Sequence, residues 1–122
     1  MNNEILVIDD NSDIRLLISG ILKDKGFSVR VAANFDQALN EINKKTPDVA
    51  VIDVKLDKGD NDGIDLLSYI KKIDDDVPVI MISGHANVQM AVDSLKLGAF
   101  EFIQKPFSSE RLLNFVNRAL EN

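Results

Sequence analysis

Five side chains that could do chemistry stand at the ends of short, largely apolar runs of the sequence. They comprise three carboxylates, a hydroxyl and an ammonium: Asp9, Asp10, Asp53, Ser83 and Lys105. Val49–Ile52, the run directly before Asp53, has no polar residue. Such a run is typical of a strand in the middle of a parallel sheet, and the carboxyl ends of such strands are where open α/β sheets bind ligands. Asp53 is therefore the candidate reactive group.

The chemistry follows from the charges, if these groups come together. Three adjacent carboxylates repel one another unless a cation lies among them. Ligands that are all oxygen predict a hard ion, most naturally Mg²⁺. Asp53 could then attack a phosphoryl group and give an acyl phosphate, with Lys105 and the Ser83 hydroxyl contacting the phosphoryl oxygens.

The composition narrows the class of protein. The 122 residues suit a single domain, and no cysteine and one histidine, His85, argue against zinc chemistry and against a cysteine nucleophile. A formal charge of −6 argues against direct binding of nucleic acid. No apolar run is long enough to span a bilayer, and the N-terminus lacks the pattern of a signal peptide. These features predict a cytoplasmic domain that does not enter a membrane.

Five strands are predicted to alternate with five helices. Gly26 is expected to follow the first helix, and caps are expected at Asn11 or Ser12, at Asn34, and at Ser108 or Ser109. The fourth helix is predicted at Asn87–Leu97. The predicted strands are Ile5–Ile8, Ser28–Ala32, Val49–Asp53, Val79–Ile82 and Phe100–Gln104.

This alternation predicts an α/β fold, a doubly wound parallel sheet covered by helices on both faces. The order 2-1-3-4-5, the flavodoxin-like order, is favoured because the first loop has no glycine-rich phosphate cradle. In that order strands one, three, four and five are neighbours, so their carboxyl ends bring the five polar side chains into one shallow cleft.

The residues that converge on this edge resemble the signature of the receiver domain of two-component response regulators. The signature comprises Asp9-Asp10, Asp53, Ser83-Gly84 and Lys105-Pro106, in the family's order and on the expected elements. The stretches from Ile82 to Asn87 and from Gly98 to Phe107 are most similar to the NtrC group, and within it to NtrX-type regulators.

The resemblance implies a role for each position. Asp53 would accept a phosphoryl group from a phosphohistidine on a sensor histidine kinase. Asp10, Asp53 and the backbone carbonyl of Lys55 would bind Mg²⁺, with Asp9 acting largely through water. Ser83 and Phe102 would form the switch pair, and the Lys105-Pro106 bond would be cis.

The resemblance also implies a switch that controls transcription and is not an enzyme acting on free substrates. Residues 1–122 are expected to form one receiver domain, either part of a longer regulator with an effector domain outside this chain or a receiver that stands alone. The face formed by helix four, strand five and helix five is expected to mediate homodimerisation or contact with the effector domain.

One segment departs from the family pattern. Gly63 lies ten residues after Asp53, two further than in many receivers, and the segment Lys55–Gly63 contains Asp57, Asp60 and Asp62. Its effect on metal affinity and kinase docking is left open. One alternative is therefore a degenerate receiver that binds partners without phosphorylation.

A second alternative is a metal-dependent phosphatase with an aspartyl nucleophile, although Lys55 stands where such enzymes expect a second acid. Flavin binding finds no suitable phosphate loop. His85 is assigned no catalytic role. Helix four has apolar residues at helical spacing, which are predicted to pack in the core, with an interface as the second interpretation: Val88, Ala91, Val92 and Leu95.

Overall fold

The computed structural model describes residues 3–57, 59, 62–84 and 88–121. Its strands and helices alternate along the chain without interruption. In order they are β1 (Glu4–Ile8), α1 (Ser12–Asp24), β2 (Ser28–Ala32), α2 (Phe35–Lys44), β3 (Val49–Asp53), α3 (Asp62–Ile73), β4 (Val79–Ser83), α4 (Val88–Lys96), β5 (Glu101–Gln104) and α5 (Ser109–Glu121).

The five strands form one parallel sheet in the order β2-β1-β3-β4-β5, as predicted. Asp53 pairs with Ile82 on β4, and Ser83 pairs with Gln104 on β5. This register brings the carboxyl ends of β3, β4 and β5 to the same edge of the sheet. The predicted fold class and strand order are confirmed.

Alternate residues of the central strands pack into two separate apolar cores. Ala50 and Ile52 of β3 face the core that α2 and α3 cover, whereas Val49 and Val51 face the core that α1 and α5 cover. Because β3 is buried on both faces, it can consist of apolar residues up to Asp53. The buried strand therefore holds the Asp53 carboxylate in a fixed position at the edge of the sheet.

Side-chain caps set where the helices begin. Asn11, the first of the two alternatives for α1, accepts hydrogen bonds from the amides of Asp13 (2.9 Å) and Ile14 (3.3 Å). Asn34 accepts one from Gln37 N (2.9 Å), and the Ser108 hydroxyl accepts one from Arg111 N (3.1 Å). The predicted start of the fourth helix, at Asn87, lies outside the described residues.

Helix α4 differs from the sequence-based expectation. Val88 is 81% exposed and Leu95 47% exposed, and Val92 is also exposed, whereas Ser94 is buried. The prediction that this apolar stripe packs mainly in the core was wrong. The spacing of apolar residues identifies a helical face, but packing through Met90 and Ser94 turns the opposite face to the sheet. The exposed stripe is available to a partner.

Within the part of the chain that the structure describes, no helix combines the length and the apolar character needed to cross a membrane.

Candidate functional site

The predicted polar residues lie at the carboxyl edge of the sheet, around a cleft of about 370 Å³. Its lining comes from the last residues of β3 and β4 and from the loops after β1, β3, β4 and β5, together with one side chain of α4. The lining residues are Asp10, Asp53, Val54, Lys55, Ser83, Gly84, Met90 and Lys105. Sequence reasoning missed Met90, whose place in a helix carries no chemical signal.

Two backbone hydrogen bonds of Val54, the residue after Asp53, fix the end of β3. Val54 N donates to Ile82 O (2.9 Å), and Gly63 N donates to Val54 O (2.8 Å). The Asp53 side chain accepts a hydrogen bond from Lys55 N at 3.3 Å and is almost buried. The carboxylate is thus fixed at the floor of the cleft, with limited exposure to solvent.

The two acids after β1 lie in different surroundings. Asp9 is fully buried, and its Oδ1 accepts a hydrogen bond from Asn11 N at 2.9 Å, whereas Asp10 is exposed. Arg15 further fixes the Asp9 backbone by donating to its carbonyl oxygen at 2.8 Å. The doublet therefore supplies one enclosed carboxylate and one that is open to solvent.

Lys105 joins the two buried carboxylates. Its Nζ lies 3.0 Å from Asp9 Oδ2 and 3.2 Å from Asp53 Oδ2. Its backbone N donates to Ser83 O at 2.8 Å, which attaches the β5 loop to the end of β4. The Lys105-Pro106 peptide bond is cis, as the family resemblance implied.

The electrostatics of the cluster favour protonation of Asp53. The pKa of the Asp53 carboxyl is raised from 3.8 to about 6, because burial and, next, the charge of Asp9 raise it by more than Lys105 lowers it. Burial works against the charge of Lys105, but its hydrogen bond to Asp9 and the charge of Asp53 outweigh this and raise its pKa. One ammonium is shared by two carboxylates, so neither is fully compensated.

The acids fit a hard divalent cation. One carboxylate oxygen from each of Asp9, Asp10 and Asp53 can be chosen so that all three lie within 4.8 Å of one another. The donors are all oxygen, and the ammonium of Lys105 neutralises at most one of the three charges. The excess negative charge and the exposure of Asp10 to the cleft suit Mg²⁺, which keeps several waters when protein carboxylates bind it.

The proposed switch residues lie on the same face of the sheet but at different depths. Ser83 is buried at the cleft, whereas Phe102 pairs with Met81 and packs, half-buried, against the core beneath α3. Because Met81 and Ser83 are two residues apart on β4, their side chains point to the same side. Phe102 does not line the cleft itself.

Asp57 and Asp62, the two described acids of the extended segment, both accept hydrogen bonds from backbone amides. Asp62 is buried, and its Oδ1 accepts a hydrogen bond from Leu56 N at 2.5 Å. Asp57 reaches α2, where its Oδ1 accepts from Phe35 N at 2.9 Å. Sequence reasoning assigned neither acid a structural role and left their effect on metal affinity and kinase docking open. Asp60, and likewise His85, lie outside the described residues.

Comparison with known proteins agrees with this geometry. Residues 5–117 match the response regulator receiver domain family. The chain is 46% identical over 121 residues to the nitrogen assimilation regulatory protein NtrX of Azorhizobium caulinodans, covering 99% of this chain and 27% of that protein. The chain thus spans about a quarter of this relative's length.

Two solved structures are similar over nearly the whole chain. The receiver domain of NtrX from Brucella abortus superposes with a TM-score of 0.90 at 46% identity, covering 97% of this chain and 98% of that one. The beryllofluoride-activated NtrC4 receiver domain dimer superposes with a TM-score of 0.89 at 37% identity, covering 97% and 96%. With the sheet order and the acidic cleft, these matches establish that the chain belongs to the response regulator receiver domain family.

Proposed function

We propose that residues 1–122 form a phosphorylation-controlled receiver domain in which Asp53 accepts a phosphoryl group from a sensor histidine kinase. The observation that carries the proposal is the position of Asp53, in a cleft with Asp10 and in contact with Lys105. The carboxylate oxygen would form a bond to phosphorus while the bond from phosphorus to the donor's imidazole nitrogen breaks.

Each neighbouring residue has a separate part in this transfer. Asp10, Asp53 and the carbonyl of Lys55 would hold Mg²⁺, whose charge would offset that of the acids and of the phosphoryl oxygens. Asp9, with one oxygen bonded to Asn11 N and the other to Lys105, would support the site from behind. Lys105 and the Ser83 hydroxyl would donate hydrogen bonds to the phosphoryl oxygens.

Phosphorylation would act as a switch. Ser83 would move toward the phosphoryl group, and the half-buried Phe102 would turn inward, changing the surface of α4, β5 and α5. The exposed residues Val88, Val92 and Leu95 support an interface at this surface. The similarity to an activated receiver dimer supports homodimerisation, with contact to an effector domain as the other use.

The kinase is proposed to dock beside the cleft, on α1. Leu16 is 73% exposed and Leu17 51% exposed, and contiguous apolar groups on a surface are typical of interaction sites. Leu17 also lines an apolar hollow of about 340 Å³ with Pro106 and Phe107, next to Lys105. A donor helix on this surface would bring its phosphohistidine close to Asp53.

The similarity to NtrX-type regulators supports a cytoplasmic role in transcription control, with DNA binding left to a domain outside this chain. We propose a switch and not a hydrolase, because the position two residues after Asp53 holds Lys55 in place of a second acid. A degenerate receiver that works without phosphorylation is the competing proposal.

The test is the intact mass after incubation with acetyl phosphate and Mg²⁺. Wild-type protein is expected to gain one phosphoryl group in a Mg²⁺-dependent manner, and Asp53→Ala to gain none. No addition at high donor and metal concentration would favour the degenerate receiver. Addition that persists in Asp53→Ala would mean that another carboxylate is the acceptor.

A further inference from the structure

We propose that Asp62 is a positioning residue for the metal site, because its buried carboxylate holds the Lys55–Leu56 peptide in the orientation that metal binding needs. This inference rests on the proposed function, since it concerns the backbone carbonyl of Lys55 as a Mg²⁺ ligand. Asp62 is the first residue of α3 and does not line the cleft among the described residues.

The contact is a short hydrogen bond inside the protein. Asp62 is 4% exposed, and its Oδ1 lies 2.5 Å from Leu56 N. Hydrogen bonds to an ionised acceptor are shorter and stronger than neutral ones, and a buried carboxylate requires such partners. The Leu56 side chain is also buried, so the amide and the side chain of this residue are both fixed.

The geometry of the peptide group transmits this constraint to the cleft. The carbonyl of Lys55 and the N–H of Leu56 belong to the same planar peptide unit, and in a trans peptide they point in opposite directions. Because Asp62 holds the N–H, the carbonyl is directed away from Asp62. On the other side of Lys55, its own N–H donates to Asp53 Oδ1 at 3.3 Å.

The next residue reinforces the same connection. Gly63 N donates to Val54 O at 2.8 Å, and a Cβ on Gly63 would overlap the backbone carbonyl of Asp53. Asp62 and Gly63 thus hold both Val54 and Leu56, the residues on either side of Lys55. The Asp62-Gly63 pair acts as a clamp: its two hydrogen bonds fix the backbone of residues 54–56, directly after Asp53.

The same contact bears on the length of the loop. The Asp62–Leu56 bond closes the chain across residues 57–61, so the segment between them can be longer without displacing Lys55. Asp57, on the far side of the clamp, is exposed and bonds to Phe35 N on α2. The two acids therefore have separate roles, although they stand in one loop.

The experiment compares Asp62→Ala and Asp62→Asn with the matched variants Asp57→Ala and Asp57→Asn. Each pair removes the same charge from the same loop, but only Asp62 bonds to Leu56 N. Mg²⁺ affinity is measured by titration of amide resonances. In metal-free protein, the Leu56 amide resonance and its exchange rate report the bond directly, and urea unfolding reports stability.

Asp62→Ala is expected to weaken Mg²⁺ binding by about 10-fold or more, as is usual when a residue that orients a ligand is lost. Asp62→Asn, which keeps an acceptor oxygen, is expected to lie between Asp62→Ala and wild type, and both Asp57 variants to bind Mg²⁺ like wild type. Faster exchange of the Leu56 amide in the Asp62 variants is expected without metal.

Wild-type affinity in folded Asp62→Ala, whatever its stability, would overturn the inference and reduce Asp62 to a structural role. If Asp62→Ala does not fold, equal affinities of Asp62→Asn and Asp57→Asn would overturn it, and a lower affinity of Asp62→Asn would support it. Failure of the wild type to bind Mg²⁺ would instead overturn the proposed metal site itself, and this inference with it.

Discussion

At the scale of single residues, the candidate site holds charge that the fold does not neutralise. Asp9 and Asp53 share the ammonium of Lys105, and burial raises the pKa of Asp53 to about 6. An active site that is electrostatically unfavourable without its cation is a common cost of function. The stability of the metal-free domain should therefore depend on the ionisation of Asp53.

The sign of this dependence follows from the pKa of Asp53 in the unfolded chain, 3.8, and in the folded protein, about 6. Between about pH 4 and pH 6 the folded state binds more protons at Asp53 than the unfolded state, so stability falls as pH rises through this window. Asp53→Asn, which removes the charge, is expected to be more stable than wild type at pH 7.5 without metal. This advantage should shrink as the pH falls toward 4.

Urea unfolding of both proteins across pH 4–8 measures the effect. Asp10→Asn serves as the comparison, because Asp10 belongs to the same acidic group but is exposed, and its effect is expected to be smaller. Asp53→Asn that is less stable than wild type at pH 7.5 would show that the Lys105 ion pair outweighs burial and repulsion.

At the scale of elements, the sheet was predictable and one helix face was not. The central strands β1, β3 and β4 were recognised because each contains a continuous apolar run that is buried on both faces. Helix α4 was placed correctly in the chain but its buried face was not, because Ser94 packs inward while Val88 and Leu95 are exposed. Apolar spacing alone does not say whether the partner belongs to the same chain.

The junction of β3 and α3 offers a sharp test at this scale. Gly63→Ala would place a Cβ against the Asp53 carbonyl oxygen, where only backbone movement can make room. We expect a loss of about 2–3 kcal/mol in the free energy of unfolding, together with slower phosphorylation by acetyl phosphate, because Asp53 itself would be displaced.

Gly20→Ala is the matched control. Gly20 lies exposed within α1 and has no atom within 4 Å of an added Cβ, so its replacement is expected to stabilise the protein by about 0.5–1 kcal/mol. Equal stability changes for the two variants would contradict the close approach of α3 to the acceptor strand.

At the scale of the whole molecule, two exposed apolar faces lie on different sides of the cleft. Leu16 and Leu17 belong to α1, which covers one face of the sheet, whereas Val88 and Leu95 belong to α4. Exposed apolar groups on separate elements are compatible with two partners that are used in succession. We expect the α1 surface to receive the phosphoryl donor and the α4 surface to respond to phosphorylation.

Two charge substitutions separate these roles and serve as controls for each other. Leu17→Glu is expected to slow transfer from an autophosphorylated sensor kinase by about 10-fold, a cost of about 1.4 kcal/mol in docking, and to leave labelling by acetyl phosphate unchanged. Beryllofluoride is expected to make the wild-type domain associate in sedimentation experiments, and Leu95→Glu is expected to prevent that association and to leave both labelling reactions unchanged. The opposite pattern would show that α4 receives the kinase and that α1 mediates association.

The sequence by itself determined the strands, their order, the helix cap at Asn34, and the edge at which the acids meet. These features depend on local patterns, because an apolar run or a capping residue acts on the chain within a few positions. The sequence was also sufficient to suggest the family, because the acids after the first and third strands, Ser83 and Lys105 follow one another in the family's order.

Only the tertiary structure decided that Asp9 is enclosed while Asp10 is open, and that Asp62 bonds to Leu56 while Asp57 bonds to α2. It also decided which face of α4 is exposed. These outcomes depend on the direction in which a loop closes and on which surfaces meet across the fold. Two aspartates close together in the sequence look alike to any local pattern. Which of them is buried, and which amide each one binds, follows from packing between segments far apart in the chain.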